Sequence, residues 1–393
     1  MTTRLPKEVK FPHEKDEDIY PIEDNATTFD SYDLKIVYDR EKTGFEQERE
    51  LTIVINEVLA GRYQVIGFLG QAQFSKAIQV KDLEYKHESK TENKKNPYFC
   101  IKIIKNDKDY FDQSIDEIKL LKYISANCHP DESHLLTLHD YFYHREHLML
   151  VTELLKDNLY DAYRLHAKHF DLKTVQTYAK QILVALEKMH SLHVIHTDLK
   201  PENILIKSYS NKIIKVIDVG SSIFFHDKQF SSYIQTRSYR APEVILGCPY
   251  DDKIDIWSLG CIIAEIFTKE VLFESESCVG LLAKIQGLRG PWPSWMVDTG
   301  KNVSQFFTKE MVLFENIDEE MNENDKQGKK YDDPSLGKKE SAMVRVYTPK
   351  MTNMRARIGS DNALFLDFLS KCLKIDPTAR FSAKQALAHK FIT

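Results

Sequence analysis

The chain has 393 residues, 42% hydrophobic and 29% charged, the balance of a soluble globular protein and not of a disordered or fibrous one. A net charge of -5 gives no basic field for sequence-independent binding to a nucleic acid backbone, so nucleic acid is excluded as the primary partner. Six cysteines without a CxxC pair suggest neither a zinc site nor a disulfide framework and fit a reducing, intracellular setting.

In chain order, the start MTTRLPKEVK lacks the apolar core of a signal peptide, and the first 33 residues are polar and poor core formers. Two runs, Leu34 to Tyr38 and Leu51 to Ile55, partly alternate around a polar segment and predict a hairpin, which completes an N-terminal extension over residues 1–53. From Arg62 to Ile104 the pattern is β-rich, broken by a polar loop at Lys86 to Asn96. Helical spacing follows at Asp112 to Ile124. It returns at Thr174 to His190, where Val175, Tyr178, Ala179, Ile182, Leu183, Leu186 and Met189 share one face of a 3.6-residue period.

Strands first and helices later predict an α+β chain of two lobes, a small β-rich one over 54–153 and a larger helical one over 154–393. The longest apolar stretch, Ile256 to Phe267, is too short to span a bilayer and contains Glu265, so no membrane insertion is expected. Residues 315–339 are highly charged and nearly free of apolar side chains, which predicts an exposed insert.

The chemistry concentrates in VIHTDLKPENILI and IIKVIDVG. Phosphoryl transfer needs a carboxylate near the attacking hydroxyl, a cation on the transferred phosphate and oxygen ligands for Mg²⁺. Asp198 supplies the first and Lys200 the second, while Asn203 and Asp218 supply the metal ligands. The short runs Ile204 to Ile206 and Ile213 to Ile217 predict a strand hairpin that returns Asp218 to Asn203. Singly, each of these polar residues reads as a turn former or a solvated charge. The order DxKxxN, hairpin, DxG does not follow from turn preference.

These residues resemble the eukaryotic protein kinases. Their catalytic loop, magnesium site, APE segment and DxWSxG helix match HTDLKPEN, DVG, Ala241-Pro242-Glu243 and IDIWSLG, over roughly Tyr63 to the end. Within that superfamily, YIQTRSYRAPEVILG and KVIDVGSS are most similar to the dual-specificity tyrosine-regulated (DYRK) kinases of the CMGC group, plant and protist members more than animal ones. The resemblance implies a bilobal protein-kinase fold, ATP and Mg²⁺ as reactants, and protein substrates.

It also implies roles for matching positions. Lys102 contacts the α- and β-phosphates, and Glu117 pairs with it. Thr152 is the gatekeeper, Glu153 to Leu155 form the hinge facing adenine, Asp255 supports the catalytic loop, and Arg380 pairs with Glu243. The glycine-rich loop is degenerate. Gly70 is kept, Ala72 and Ser75 stand where glycines belong, and Phe74 keeps the aromatic tip. Ala and Ser would cost roughly 1 to 2 kcal/mol wherever left-handed dihedrals are needed. Val219 replaces the Phe of DFG, and Thr197 replaces the arginine that in many kinases receives a loop phosphate.

Control is expected instead at Tyr233, whose phosphate Arg237 and Arg240 would bind; the resemblance implies that the enzyme installs it on itself and afterwards phosphorylates Ser and Thr. Arg240 would favour proline after the acceptor, and Glu202 with Asp161 an arginine upstream, although both carboxylates read equally as surface charges. A monomer is expected. The alternative reading is a pseudokinase that binds nucleotide or a partner and signals by conformation.

Overall fold

A computed structural model describes residues 31–41, 48–85, 97–165, 170–226, 234–316, 329–330 (backbone only) and 343–393. The small lobe is a sheet of β1 (Lys35–Val37), β2 (Val58–Leu59), β3 (Tyr63–Gln71), β4 (Ser75–Asp82), β5 (Tyr98–Ile104), β6 (Leu138–His144) and β7 (His147–Glu153). Its strand order is β1-β6-β7-β5-β4-β3-β2. Alternating Val, Ile and aromatic residues turn one face inward. Leu59, Tyr63, Val65, Ile78, Val80, Ile101, Ile103, Phe142, Met149 and Val151 form that core.

The expected hairpin does not form. β1 instead pairs in parallel with β6, Lys35 opposite Phe142, and Leu51 to Ile55 is not a strand. Alternation in sequence marks an edge that can pair but does not name its partner. Nor is residue 53 the end of an extension. Residues 35–393 belong to one compact unit, Leu51 is buried in the small-lobe core, and Val37 and Ile53 pack against it.

Helix α1 (Lys108–Asn127) starts where the Asp107 side chain accepts the Asp109 N–H, a cap for an otherwise unpaired donor. Its inner face buries Ile118, Leu121 and Ile124, and places the charged Glu117 among them. The large lobe is built on α2 (Leu159–Leu165) and α3 (Leu172–Ser191), the latter burying all seven residues of the apolar face read from the sequence. The short strand β8 (Val194–Ile195) leads to the hairpin of β9 (Ile204–Ser208) and β10 (Ile213–Val216), and β11 (Ile223–Phe224) pairs with β8.

Beyond these, α4 (Pro242–Leu246) carries the APE segment, and α5 (Lys253–Thr268) is buried on nearly every side. A helix apolar all round belongs to the centre of a core, as α5 does here. Among the described residues no helix is long and apolar enough to cross a membrane. The loop predicted at Lys86 to Asn96 falls outside the described residues, as does most of the 315–339 insert.

Candidate active site

The Glu117 carboxylate, 5% exposed, is accounted for by strand β5. Lys102 Nζ lies 2.8 Å from Glu117 Oε2 and 3.1 Å from Oε1. The same ammonium lies 3.7 Å from Asp218 Oδ1. Burial draws the Lys102 pKa down, but Glu117 and Asp218 outweigh it and hold the amine above the ordinary lysine value. One cation thus bridges a strand of the small lobe, helix α1 and the segment after β10.

The hairpin works as the sequence suggests. Asn203 ends a single turn (Pro201–Asn203) just before β9, and the Ile217 N–H donates to the Asn203 carbonyl at 2.9 Å, so that Asp218 emerges beside Asn203. Asp218 has φ 62°, a left-handed conformation that Asp tolerates better than most residues. Val219 begins the following turn and is buried.

Opposite, the Asp198 carboxylate is held on both oxygens. Oδ1 accepts from Thr236 Oγ1 at 2.7 Å and from the Thr236 N–H at 3.1 Å, and Oδ2 lies 2.7 Å from Lys200 Nζ. Asn203 Nδ2 donates to the Asp198 carbonyl at 2.9 Å. The loop rests on the fully buried Asp255, whose carboxylate accepts the N–H of His196 (2.9 Å) and of Thr197 (3.1 Å) and lies 2.9 Å from His190 Nε2. His196 Nε2 lies 3.0 Å from the Ile217 carbonyl, and Arg380 meets Glu243 at 2.6 Å with both side chains fully buried.

At the covering loop, neither Ala72 nor Ser75 has positive φ, and Gly70 is not left-handed either. The penalty expected for replacing glycine there does not arise in this conformation. The Ala72 N–H closes the tip on the Ser75 carbonyl at 2.8 Å, and Phe74 packs edge-on against Tyr110 of α1 at 5.0 Å between centroids. Thr152 is buried opposite Cys100, and Leu155 is half-buried. The Glu153 carboxylate turns away to Lys207 (3.1 Å), Lys215 (3.2 Å) and the Thr137 N–H (3.2 Å).

Other predicted residues stand apart from this cluster. Tyr233 lies outside the described residues. Arg237 donates to the Glu276 carbonyl, and Arg240 to the carbonyls of Ile234 and Gln235 at 2.9 Å. Glu202 is exposed, and Asp161 is bonded to Asn158 on both its backbone and its carboxylate.

Residues the sequence reading did not single out also shape the site. Thr236 holds Asp198. Gln235, at φ 62°, ties the loop to α5 through Ser258 Oγ at 2.8 Å and to the Ala241 N–H at 2.9 Å. Glu265 accepts from Tyr163 and Tyr239 at 2.8 and 2.7 Å. The available signal was a carboxylate inside an apolar helix, which needs partners if it is buried.

A protein kinase domain model matches residues 63–392. The chain belongs to the protein kinase family. Several of its relatives carry the names of DYRK-type kinases. It is 36% identical over 344 residues to the probable serine/threonine-protein kinase dyrk2 of Dictyostelium discoideum, covering 87% of this chain and 34% of that protein. It is 35% identical to the serine/threonine-protein kinase ppk15 of Schizosaccharomyces pombe (89% and 66%). With the dual specificity tyrosine-phosphorylation-regulated kinase 3 of Rattus norvegicus it shares 33% identity (85% and 54%). The chain therefore spans between a third and two thirds of the length of these relatives.

Proposed function

We propose that the chain moves the γ-phosphoryl group of ATP to Ser and Thr hydroxyls of other proteins and to its own Tyr233. The observation that carries this is the Lys102–Glu117 pair at 2.8 Å with Asp218 at 3.7 Å, facing an Asp198 flanked by Lys200 and Asn203. The roles follow from the charges. Lys102 holds the α- and β-phosphates, Asp198 orients the acceptor hydroxyl and takes its proton, and Lys200 neutralises charge on the phosphoryl group in flight. ADP leaves as the new oxygen–phosphorus bond forms.

Asn203 and Asp218 would hold Mg²⁺, and their donors fit it. Both offer hard oxygen ligands, and the Asn203 amide nitrogen is already bonded to the Asp198 carbonyl, which orients that side chain. When bound, Mg²⁺ neutralises phosphate oxygens and aligns them for in-line transfer. At the hinge, the Glu153 carboxylate is engaged elsewhere, so adenine would be met by the main chain of Glu153 to Leu155.

For substrate choice, Arg240 grips the Gln235 carbonyl while Gln235 is left-handed, which supports a backbone turned away from the residue after the acceptor and hence proline there. Glu202 is exposed, which leaves its carboxylate open to an upstream arginine.

A Mg²⁺/ATP assay with histone as acceptor, run beside Asp198→Asn, tests the reading. The variant should lose about 10²- to 10⁴-fold in rate. Equal signal from both proteins leaves only the scaffold alternative. Intact-mass analysis should find the added phosphate in wild type and not in the variant, and phosphate on Tyr233 of the variant would rule out self-modification.

A further inference from the structure

Thr197 stands in a conformation that its residue type avoids. It has φ 64°, where a β-branched side chain is a rare outlier, and it is 1% exposed. Glycine or asparagine would adopt this backbone with less strain. What threonine brings instead is a short hydroxyl, and its direction is fixed. The Thr197 N–H is anchored on Asp255, and Oγ1 donates to the Ser221 carbonyl at 2.5 Å. Ser221 closes the turn Val219–Ser221 that begins immediately after Asp218.

A reciprocal bond runs beside it, from Ser222 Oγ to the His196 carbonyl at 3.2 Å. On the other side of Asp218, His196 Nε2 meets the Ile217 carbonyl at 3.0 Å. His196 and Thr197 thus grip the chain before and after Asp218, which is itself left-handed and 41% exposed. Among the described residues the other side chain bonded to the turn is Gln113, at 3.5 Å from the Gly220 carbonyl, the outer limit of a hydrogen bond.

From this we infer that Thr197 Oγ1 is a positioning group for Asp218, fixing the turn after it against the loop that carries Asp198. The inference rests on the kinase reading. A long cationic side chain at this position could reach a distant loop phosphate, whereas a threonine hydroxyl reaches only the adjacent turn. The spacing of the two carboxylates is then set by a neutral bond within the site, without a charge partner from the activation loop.

The test compares Thr197→Val, Thr197→Ser and Ser222→Ala with wild type in a Mg²⁺/ATP assay on histone, with Mg²⁺ titrated and melting temperatures recorded. Valine keeps the β-branching and removes only the hydroxyl. Thr197→Val should lower kcat about tenfold and raise the Mg²⁺ concentration at half-maximal rate, with the KM for histone within about twofold. Thr197→Ser should restore kcat to within about threefold of wild type, and Ser222→Ala should show a smaller loss of the same kind.

Wild-type kcat and Mg²⁺ dependence in a folded Thr197→Val overturns the inference, as does a Thr197→Ser no better than valine. If the valine variant does not fold, an unchanged Ser222→Ala overturns it. A wild-type protein that transfers no phosphate removes the kinase reading and this inference with it.

Discussion

The catalytic loop and the loop over the nucleotide face each other across the site and are held in different ways. Around His196 to Asn203 nearly every polar group has a named partner, with Asp255 alone serving three donors from complete burial. The tip at Gly70 to Ser75 has one backbone bond across it, a Phe74 carbonyl that accepts the Lys105 N–H at 3.0 Å, a Gln71 side chain 3.3 Å from Glu50 and one ring contact, and Phe74 remains 40% exposed. A loop fixed by specific bonds tolerates little change in sequence. One held mainly through its backbone accepts, at Ala72 and Ser75, any small residue whose dihedrals are ordinary.

The strongest way to break the contrast is Asp255→Ala, which orphans two buried N–H groups and removes the partner of His190. Loss of about 2 to 4 kcal/mol is expected in chemical denaturation, together with loss of transfer activity. Next comes a pH dependence on the same side. Burial lowers the His190 pKa, but Asp255, Asp252 and Asp251 together raise it above its ordinary value of 6.5. A raised folded pKa contributes stability in full below about 6.5 and loses it as pH climbs through the folded value. The melting-temperature gap between wild type and His190→Gln should therefore shrink on going from acid to alkaline buffer.

On the covering loop the effects are smaller. Phe74→Ala removes the contact with Tyr110 and should raise the KM for ATP about two- to fivefold with little change in melting temperature. Smallest of all is the double change Ala72→Gly and Ser75→Gly. Because neither position is left-handed, the KM for ATP should move by less than about threefold. A tenfold improvement would mean that the loop must adopt glycine-only dihedrals once nucleotide is present.

Much of this was legible from sequence, for reasons visible in the residues. The seven-residue face of α3 was readable because burial on one side of a helix repeats every 3.6 residues. Asp198, Lys200, Asn203 and Asp218 stood out by order and spacing and Lys102 and Glu117 by resemblance, and the fold brings Lys102, Glu117 and Asp218 into one cluster and Asp198, Lys200 and Asn203 into another. The pairing of β1 with β6 was not, because the two lie more than 100 residues apart and local alternation says nothing of distance along the chain.

Thr236, Lys215 and Glu265 were missed for a related reason. Each is an ordinary polar residue until the fold places it. Lys215, 1% exposed in β10, donates to the carbonyls of Pro130 and Leu135 and pairs with Glu153, so it fastens the end of β7 to the strand that leads to Asp218. Burial lowers its pKa, with Glu153 opposing the shift.

The fully buried pair of Glu243 and Arg380 joins residues 137 positions apart, and the guanidinium also lies over the Trp257 ring. During synthesis, helix α4 and the Trp257 segment of α5 leave the ribosome long before their counter-charge exists. Until residue 380 follows, Glu243 is expected to stay solvated or shielded, and the packing around it to wait for that residue.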